Sequence, residues 1–190
     1  QARLEALADW LAGQESRRAA SIADSHVELR GEMEIEAANM PFRITAKADR
    51  IDRLKDGAFD IVDYKTGAVP SRKAVAQHLA PQLTLEAAIL RDGGFRDGTE
   101  VLKGPSQLLS YWHLTGRDPA GEQIDIDADD ALMDGAVDMV SRLIAAYRDE
   151  RQAYFVHIRP LPTGQQRPLA DRPFDHLARM AEWQSSEGEA

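Results

Sequence analysis

Residues 48–67 read Ala48-Asp49-Arg50-Ile51-Asp52-Arg53-Leu54-Lys55-Asp56-Gly57-Ala58-Phe59-Asp60-Ile61-Val62-Asp63-Tyr64-Lys65-Thr66-Gly67, and this stretch decides the fold that the sequence predicts. Two strand-like runs flank the Asp56-Gly57 pair, which is typical of a tight turn between antiparallel strands. On the second run Asp63 and Lys65 lie two positions apart, and alternate residues of a strand project from the same face. We therefore expect a hairpin that brings Asp49, Asp63 and Lys65 together.

The predicted approach of Asp63 to Lys65 has two interpretations. The simpler one is a salt bridge at the end of a strand, where charged pairs are common. In the functional one, Asp63 binds a metal ion, and Lys65 contacts an attacking water or a phosphate. Lysine suits that role because its ammonium group is a compact charge on a flexible stem. The residues alone leave both interpretations open.

The first strand of the hairpin carries two aspartates. Asp49 and Asp52 lie three positions apart and so face opposite sides of a strand, which means that only one of them can point at Asp63. Asp52 is flanked by Arg50 and Arg53, which favours a structural ion pair. Asp49 is therefore the candidate partner of Asp63.

A hard divalent cation such as Mg²⁺ prefers oxygen ligands and retains several waters. Two carboxylates, the backbone carbonyl of Tyr64 and waters would complete such a site. A third carboxylate would strengthen it, and the preceding strand offers four candidates, although any one of them is more often the solvated face of a strand: Glu28, Glu32, Glu34 and Glu36.

The composition limits the alternatives. The chain has 190 residues, 43% hydrophobic and 29% charged, which predicts a single globular domain over residues 1–190 with a mobile polar tail at 184–190. There is no cysteine, which excludes disulfides, zinc–thiolate sites and iron–sulfur clusters. The pattern predicts no membrane span and no signal peptide, and the start at Gln1 suggests a piece of a longer protein. The net charge of −9 disfavours a free-standing nucleic-acid binder but not a metal-dependent nuclease.

The periodicity of the chain predicts a mixed α/β sheet flanked by helices. Val27, Leu29, Met33 and Ile35 share one strand face, and Leu132, Ala136, Val140, Leu143 and Tyr147 form the apolar stripe of the longest helix. The predicted elements are helices at 2–12 (ended by Gly13) and 15–22, strands at 27–36, 42–54 and 58–64, a helix or irregular crossover at 71–80, a helix from Pro81 to Gly93, a strand at 108–114, a possible short strand, a helix at 130–148, a loop at 160–167 and a helix at 174–183.

The motifs resemble a known family. Asp49-Arg50-Ile51-Asp52, then Asp63-Tyr64-Lys65-Thr66-Gly67, then Pro81-Gln82-Leu83 resemble the RecB-type branch of the PD-(D/E)XK nuclease superfamily. The nuclease domains of AddB-type helicase–nuclease subunits are the nearest resemblance. It covers residues 25–183, including Tyr111–Leu114 and Phe174–Trp183. It implies a restriction-endonuclease-like fold, with a mixed central sheet flanked by helices.

The resemblance implies a role for each matching residue. Asp49 and Asp63 match the two metal-binding aspartates, Lys65 the catalytic lysine, and Gln82 a helical glutamine beside the site. Glu28 best matches the family's glutamate near the start of the sheet, with Glu32 as the second choice. The chain departs from the family in three features: Glu86 replaces an aromatic residue, a preceding helix with a histidine is not recognisable, and the cluster-binding cysteines of some AddB proteins are absent.

The resemblance also implies an activity and partners. The activity is Mg²⁺-dependent hydrolysis of single-stranded DNA from an end, with Mn²⁺ able to substitute, during double-strand-break repair by recombination. The implied partners are an AddA-like helicase subunit and the rest of an AddB-like chain, in the bacterial cytoplasm. Two alternatives stay open: a non-catalytic structural or DNA-guiding module, and a stand-alone nuclease of the same superfamily.

The histidines give weaker signals. His113 and His157 lie among apolar, strand-like neighbours, which favours packed, hydrogen-bonded imidazoles. His26 and His78 lie near the motifs and could approach the site. Trp112 and Trp183 are expected in the core rather than as platforms for stacking bases.

Overall fold

The computed structural model describes residues 2–152. All the described helices and strands belong to one compact unit that ends at Arg148. They are α1 (Ala2–Arg18), β1 (Ile22–Ala37), β2 (Met40–Leu54), β3 (Phe59–Lys65), α2 (Arg72–Ala76), α3 (Gln82–Asp92), β4 (Phe95–Asp97), β5 (Glu100–Leu102), β6 (Ser106–Leu114), β7 (Gly121–Asp127) and α4 (Asp130–Arg148).

The strands form one seven-stranded sheet in the order β5-β4-β1-β2-β3-β6-β7. β3 and β6 are parallel, and the other pairs are antiparallel, so the sheet is mixed. The predicted α/β class, with a mixed sheet flanked by helices, is confirmed. No described helix is long and apolar enough to cross a membrane.

The β2–β3 hairpin lies at the centre of the sheet and has the predicted antiparallel pairing, from Arg50↔Val62 to Arg53↔Phe59. Gly57 occupies the turn with φ 88°, a conformation that glycine adopts without a steric penalty. Its amide donates to the carbonyl of Leu54 at 3.0 Å. The turn therefore sets the register that places the two halves of the motif on neighbouring strands.

The connection from β3 to β6 passes over one face of the sheet through α3, as expected for parallel strands. Pro81 precedes this helix, and Gly93 ends it in the left-handed conformation with φ 81°. Both boundaries match the sequence prediction. The inner face of α3 packs into the main core through Leu83, Ala87 and Leu90.

Helix α1 differs from the prediction, because it continues through Gly13 to Arg18 instead of ending there and restarting. A glycine inside a helix costs only about 1 kcal/mol relative to alanine, and tertiary contacts outweigh that cost. Trp10 packs edge-on against Trp112, with ring centroids 5.7 Å apart, and Arg18 forms an ion pair with Asp52 at 2.8 Å. The predicted second helix at 15–22 is therefore wrong.

Strand β1 begins at Ile22, earlier than predicted, and its alternation is interrupted at Glu28. This residue has φ 57°, outside the strand region. The predicted inward position of Val27 is wrong, because this side chain is 63% exposed and the neighbouring His26 is buried instead. Leu29 and Met33 do pack against the core, as predicted.

The C-terminal half of the described region adds four strands and the longest helix. Helix α4 begins as predicted, with Asp129 Oδ1 accepting from the amide of Leu132 at 2.6 Å. Its buried residues include Met133 and Ala136, whereas Leu143 and Tyr147 are exposed. The predicted apolar stripe is therefore buried only in the first part of the helix. The short strands β4 and β5 were not predicted, and β7 matches the possible short strand.

Several predictions lie outside the described residues: the loop at 160–167, the helix at 174–183, the tail at 184–190 and the environments of His157 and Trp183. The single domain over residues 1–190 likewise stays a prediction.

The approach of Gly94 to β1 generates a stability prediction. A Cβ atom at Gly94 would lie 2.1 Å from the carbonyl oxygen of Glu32, a backbone atom held in place because the Glu32 amide donates to the Gly94 carbonyl at 3.1 Å. We expect Gly94→Ala to lower the free energy of unfolding by about 2 kcal/mol, within the range for overpacking. Urea denaturation measures this change.

The matched control is Gly67→Ala, because no atom of residues 2–152 lies within 4 Å of a Cβ atom at Gly67. Equal effects of the two substitutions would contradict the close packing of β1 on the segment before β4.

Candidate active site

The end of β3 and the start of α3 meet at a closed set of polar contacts. Asp63 is only 2% exposed, and Lys65 Nζ lies 3.1 Å from its Oδ1 and 2.8 Å from its Oδ2. Gln82 Nε2 donates to Asp63 Oδ1 at 2.5 Å, and Lys65 Nζ donates to Gln82 Oε1 at 3.0 Å. Each of the three side chains therefore contacts the other two, which brings together three of the predicted site residues.

Asp49 reaches this set from the neighbouring strand β2. Its Oδ2 accepts from the backbone amide of Tyr64 at 3.0 Å, and its charge acts on Asp63, where it helps to raise the pKa. The hairpin thus places Asp49 beside Asp63, as the spacing predicts. That the Tyr64 carbonyl also binds metal stays a prediction.

Asp52 lies on the opposite face of the hairpin. Its Oδ1 accepts from Arg50 Nε at 2.7 Å, and its Oδ2 lies 2.8 Å from Arg18 Nη1. The predicted structural ion pair is confirmed for Arg50. The other flanking arginine, Arg53, pairs instead with Glu100.

Glu86 is a site residue that the sequence analysis did not assign. It lies one helical turn after Gln82 on α3, is 2% exposed, and its Oε1 accepts from Gln82 Nε2 at 3.3 Å. Its Oε2 is buried without a hydrogen-bond partner among residues 2–152. The signal was the i, i+4 spacing from Gln82, which puts both side chains on the same helix face.

Burial and neighbouring negative charge raise the pKa values of three groups at the site, Asp63, Glu86 and Tyr111. Burial raises the pKa of Glu86 to about 8; Asp63 and Asp49 raise it too, against the hydrogen bond from Gln82 and the charge of Lys65. Burial also raises the pKa of Asp63, which the hydrogen bond and charge of Lys65 oppose. Burial, followed by the charges of Asp63 and Glu86, raises the pKa of Tyr111 to about 12. The negative potential exceeds what the single Lys65 neutralises.

These residues fit a hard divalent cation. Asp49, Asp63 and Glu86 supply only oxygen donors, and the buried Glu86 Oε2 has no other partner in the described region. Mg²⁺ and Mn²⁺ favour such donor sets. Among the predicted site residues, Asp49 and Asp63 are thus the ones whose placement suits metal binding.

The two glutamates of β1 that were candidates for a third metal-binding carboxylate, Glu28 and Glu32, pair with other residues than those around Asp63. The carboxylate of Glu28 is exposed and pairs with Lys47, and that of Glu32 lies 3.7 Å from Arg43. Neither has a described contact with Asp63. Metal binding by Glu28 stays a prediction. Glu86, in contrast, contacts the site residue Gln82 directly.

The structure also gives the surroundings of three histidines. His26 contacts Asp97 and Asp24, and His78 packs against Gly135 of α4. His113 is half-buried and pairs with Lys65 in the β3–β6 ladder. Trp112 is fully buried, as predicted.

The comparison with known families agrees with this geometry. The family model of the PD-(D/E)XK nuclease superfamily matches residues 1–178. The chain belongs to this superfamily, and its mixed sheet flanked by helices is the corresponding restriction-endonuclease-like fold.

Individual relatives resemble shorter stretches. The uncharacterized protein RC0550 of Rickettsia conorii is 34% identical over 45% of this chain, and the uncharacterized protein RT0391 of Rickettsia typhi is 36% identical over 49%. Each alignment covers 10% of the relative, so the matched part of this chain spans about a tenth of the length of these proteins. A crystal structure of SSO0001 aligns with 70% of this chain and 58% of that one, at 19% identity and a TM-score of 0.40.

The raised pKa of Glu86 generates a pH prediction for the protein in a chelator. The pKa is about 8 in the folded state against an ordinary 4.5, so between these values the folded state binds more protons than the unfolded state. The contribution of Glu86 to the free energy of unfolding therefore falls as pH rises from 5 to 8. Glu86→Gln removes this dependence, so over that interval its stability should rise by more than about 1 kcal/mol relative to wild type.

Urea unfolding at pH 5, 6.5 and 8 measures the difference. The control is Glu122→Gln, which alters an exposed carboxylate on β7. A Glu86→Gln curve that runs parallel to wild type across this interval would contradict the proposed proton uptake.

Proposed function

We propose that this chain is the nuclease domain of an AddB-type helicase–nuclease subunit, and that it hydrolyses phosphodiester bonds of single-stranded DNA with Mg²⁺ or Mn²⁺. The observation that supports this most directly is the set of contacts among Asp63, Lys65 and Gln82, with Asp49 next to it. A salt bridge alone would explain Asp63 and Lys65. It would not explain why further carboxylates are gathered at the same buried place.

Asp49 and Asp63 would hold the cation, with the Tyr64 carbonyl as a further ligand and Glu28 as the glutamate that the family resemblance assigns. Glu86 is an additional candidate because its Oε2 is buried and has no hydrogen-bond partner in the described part of the chain. When bound, such a cation lowers the pKa of a coordinated water and neutralises charge on the phosphoryl group.

Lys65 would act on the phosphate or the attacking water. Its ammonium group has three donors and lies within 3.1 Å of both Asp63 oxygens and of Gln82 Oε1. The side chain is partly exposed, so the ammonium group is accessible to a substrate. A donor fixed in advance stabilises developing charge without having to reorganise during the reaction.

Gln82 would serve as a positioning residue. Its amide oxygen accepts from Lys65 while its amide nitrogen donates to Asp63 and Glu86. An amide is suited to this place because it satisfies a cation and two carboxylates at once. Gln82 thereby fixes the distance between the lysine and the acidic groups.

The proposal for the wider biological role rests on the length of the relatives and on the net charge of this chain. The Rickettsia relatives are far longer than this chain, which supports a domain within a larger protein. With 32 acidic and 23 basic residues, the chain has few phosphate contacts to offer. We therefore propose that neighbouring domains and an AddA-like helicase deliver a DNA end to the site, in double-strand-break repair in the bacterial cytoplasm.

Removal of Lys65 or Asp63 should abolish cleavage. We expect Lys65→Ala and Asp63→Ala each to retain less than a tenth of the wild-type rate, a loss of more than about 1.4 kcal/mol of transition-state stabilisation. The measurement is Mg²⁺-dependent cleavage of end-labelled single-stranded DNA by the 190-residue chain.

The control is Lys103→Ala, which removes an exposed lysine between β5 and β6. Circular dichroism of each variant separates loss of chemistry from loss of fold. Wild-type cleavage that persists in Lys65→Ala would contradict the proposed role, and an inactive wild type would favour the non-catalytic alternative.

The chain alone should bind DNA weakly. We expect a Kd above 1 μM for fluorescent single-stranded DNA at near-physiological salt, in Ca²⁺ to prevent cutting, because the net charge is −9. Fluorescence anisotropy measures this affinity. A submicromolar Kd would instead favour a stand-alone nuclease with its own DNA groove.

A further inference from the structure

A second group of potential metal ligands lies where the start of β1 meets the β4–β5 hairpin. It consists of Asp24 and His26 on β1 and Glu100 on β5, with one ligand atom of each within 4.8 Å of the other two. It shares no residue with the site around Asp63, and the proposed hydrolysis makes no use of it.

His26 is the central residue of this group, and its side chain is only 4% exposed. Its Nδ1 lies 2.9 Å from Asp97 Oδ2. An ionised carboxylate can only accept a hydrogen bond, so the ring proton of the neutral imidazole lies on Nδ1. In this form Nε2 carries a lone pair in the ring plane and no proton.

The lone pair on His26 Nε2 has no hydrogen-bond partner among residues 2–152, although the atom is buried. It lies 3.4 Å from Asp24 Oδ2, which is also an acceptor. Two acceptors facing each other are unfavourable unless a positive centre lies between them. In metal sites, the imidazole that binds the ion almost always donates its other N–H to a carboxylate, the arrangement that Asp97 and His26 have here.

We propose that Asp24, His26 and Glu100 bind a zinc ion, with Asp97 orienting the imidazole. One nitrogen and two carboxylate donors, completed by water, form a set that Zn²⁺ accepts. Mg²⁺ prefers oxygen donors alone, so the nitrogen distinguishes this site from that of Asp63.

The side chains can close around an ion of this size. Zinc bonds of about 2.0–2.1 Å in a tetrahedron need ligand atoms roughly 3.3 Å apart, closer than the present limit of 4.8 Å. Asp24 and Glu100 are 57% and 45% exposed, so they can move without disturbing the core.

Both carboxylates keep an oxygen for the ion. Asp24 accepts from the Ser25 amide through Oδ1, which leaves Oδ2, the atom near His26. Arg53 donates to Oε1 of Glu100, which leaves Oε2. The arginine also offsets part of the negative charge when no ion is bound.

The ion would stabilise the attachment of the β4–β5 hairpin to β1 at the edge of the sheet. The β4–β5 hairpin joins β1 through the pair Gly31↔Phe95 and the hydrogen bond from Glu32 to Gly94. A zinc ion shared by Asp24, His26 and Glu100 adds a cross-link between the same elements. An ion that binds only the folded state raises Tm.

The test is a zinc titration of the untagged 190-residue chain in competition with a chromophoric chelator. It is done in the Asp49→Asn/Asp63→Asn background, which removes the ligands of the other site. We expect one zinc per chain and a Tm that rises with zinc. His26→Gln should weaken zinc affinity at least tenfold and remove the Tm shift, whereas His78→Gln, which removes an imidazole packed against α4, should change neither.

A second variant covers the case in which His26→Gln does not fold. Asp24→Asn/Glu100→Gln changes only exposed side chains and should also weaken zinc binding at least tenfold. Co²⁺ in place of zinc should give visible absorption bands that disappear in the same variants. Absence of zinc binding in the Asp49→Asn/Asp63→Asn background, or zinc affinity unchanged in the Asp24→Asn/Glu100→Gln variant, would overturn the proposal whether or not hydrolysis is found.

Discussion

The buried carboxylate of Asp63 is the constraint on which the site depends. Removing a carboxylate from water costs several kcal/mol unless charged or polar partners compensate. Lys65 lies two residues along the same strand and Gln82 begins the crossover helix, and both contact the Asp63 oxygens. The need to satisfy one buried charge therefore ties the start of α3 to the end of β3, and the packing of α3 on the core supports the same placement.

The hairpin separates two kinds of charge. One face carries Asp63 and the acidic groups beside it, with more negative charge than Lys65 neutralises. The other face carries Asp52 of β2, which forms ion pairs with Arg18 of α1 and with Arg50 on its own strand. On the second face the carboxylates of Asp52, Asp60 and Glu15 each pair with an arginine, and these pairs join α1 to the sheet. The first face is unbalanced, as expected for a site whose missing positive charge arrives with a ligand, and this imbalance costs stability in its absence.

Much of the fold could be predicted from short-range patterns in the sequence. The Asp-Gly turn, the alternation after it, Pro81 and Gly93 are short-range signals, and the elements that they bound are among those predicted correctly. The errors have a different origin. Gly13 reads as a helix end, but packing of α1 on the sheet overrides it, and the left-handed backbone at Glu28 reverses the alternation without any signal from its own side chain.

The sequence by itself determined that Asp49, Asp63 and Lys65 lie on one hairpin, because strand periodicity and turn length are local properties. It also determined that Gln82 opens a helix. Only the tertiary structure decided that α3 lies against the end of β3, and therefore that Glu86 joins the acidic groups. It likewise decided that His26 meets Glu100 across the sheet edge. Such meetings depend on which strands pair and where a crossover helix packs, and these are choices of the whole core rather than of neighbouring residues.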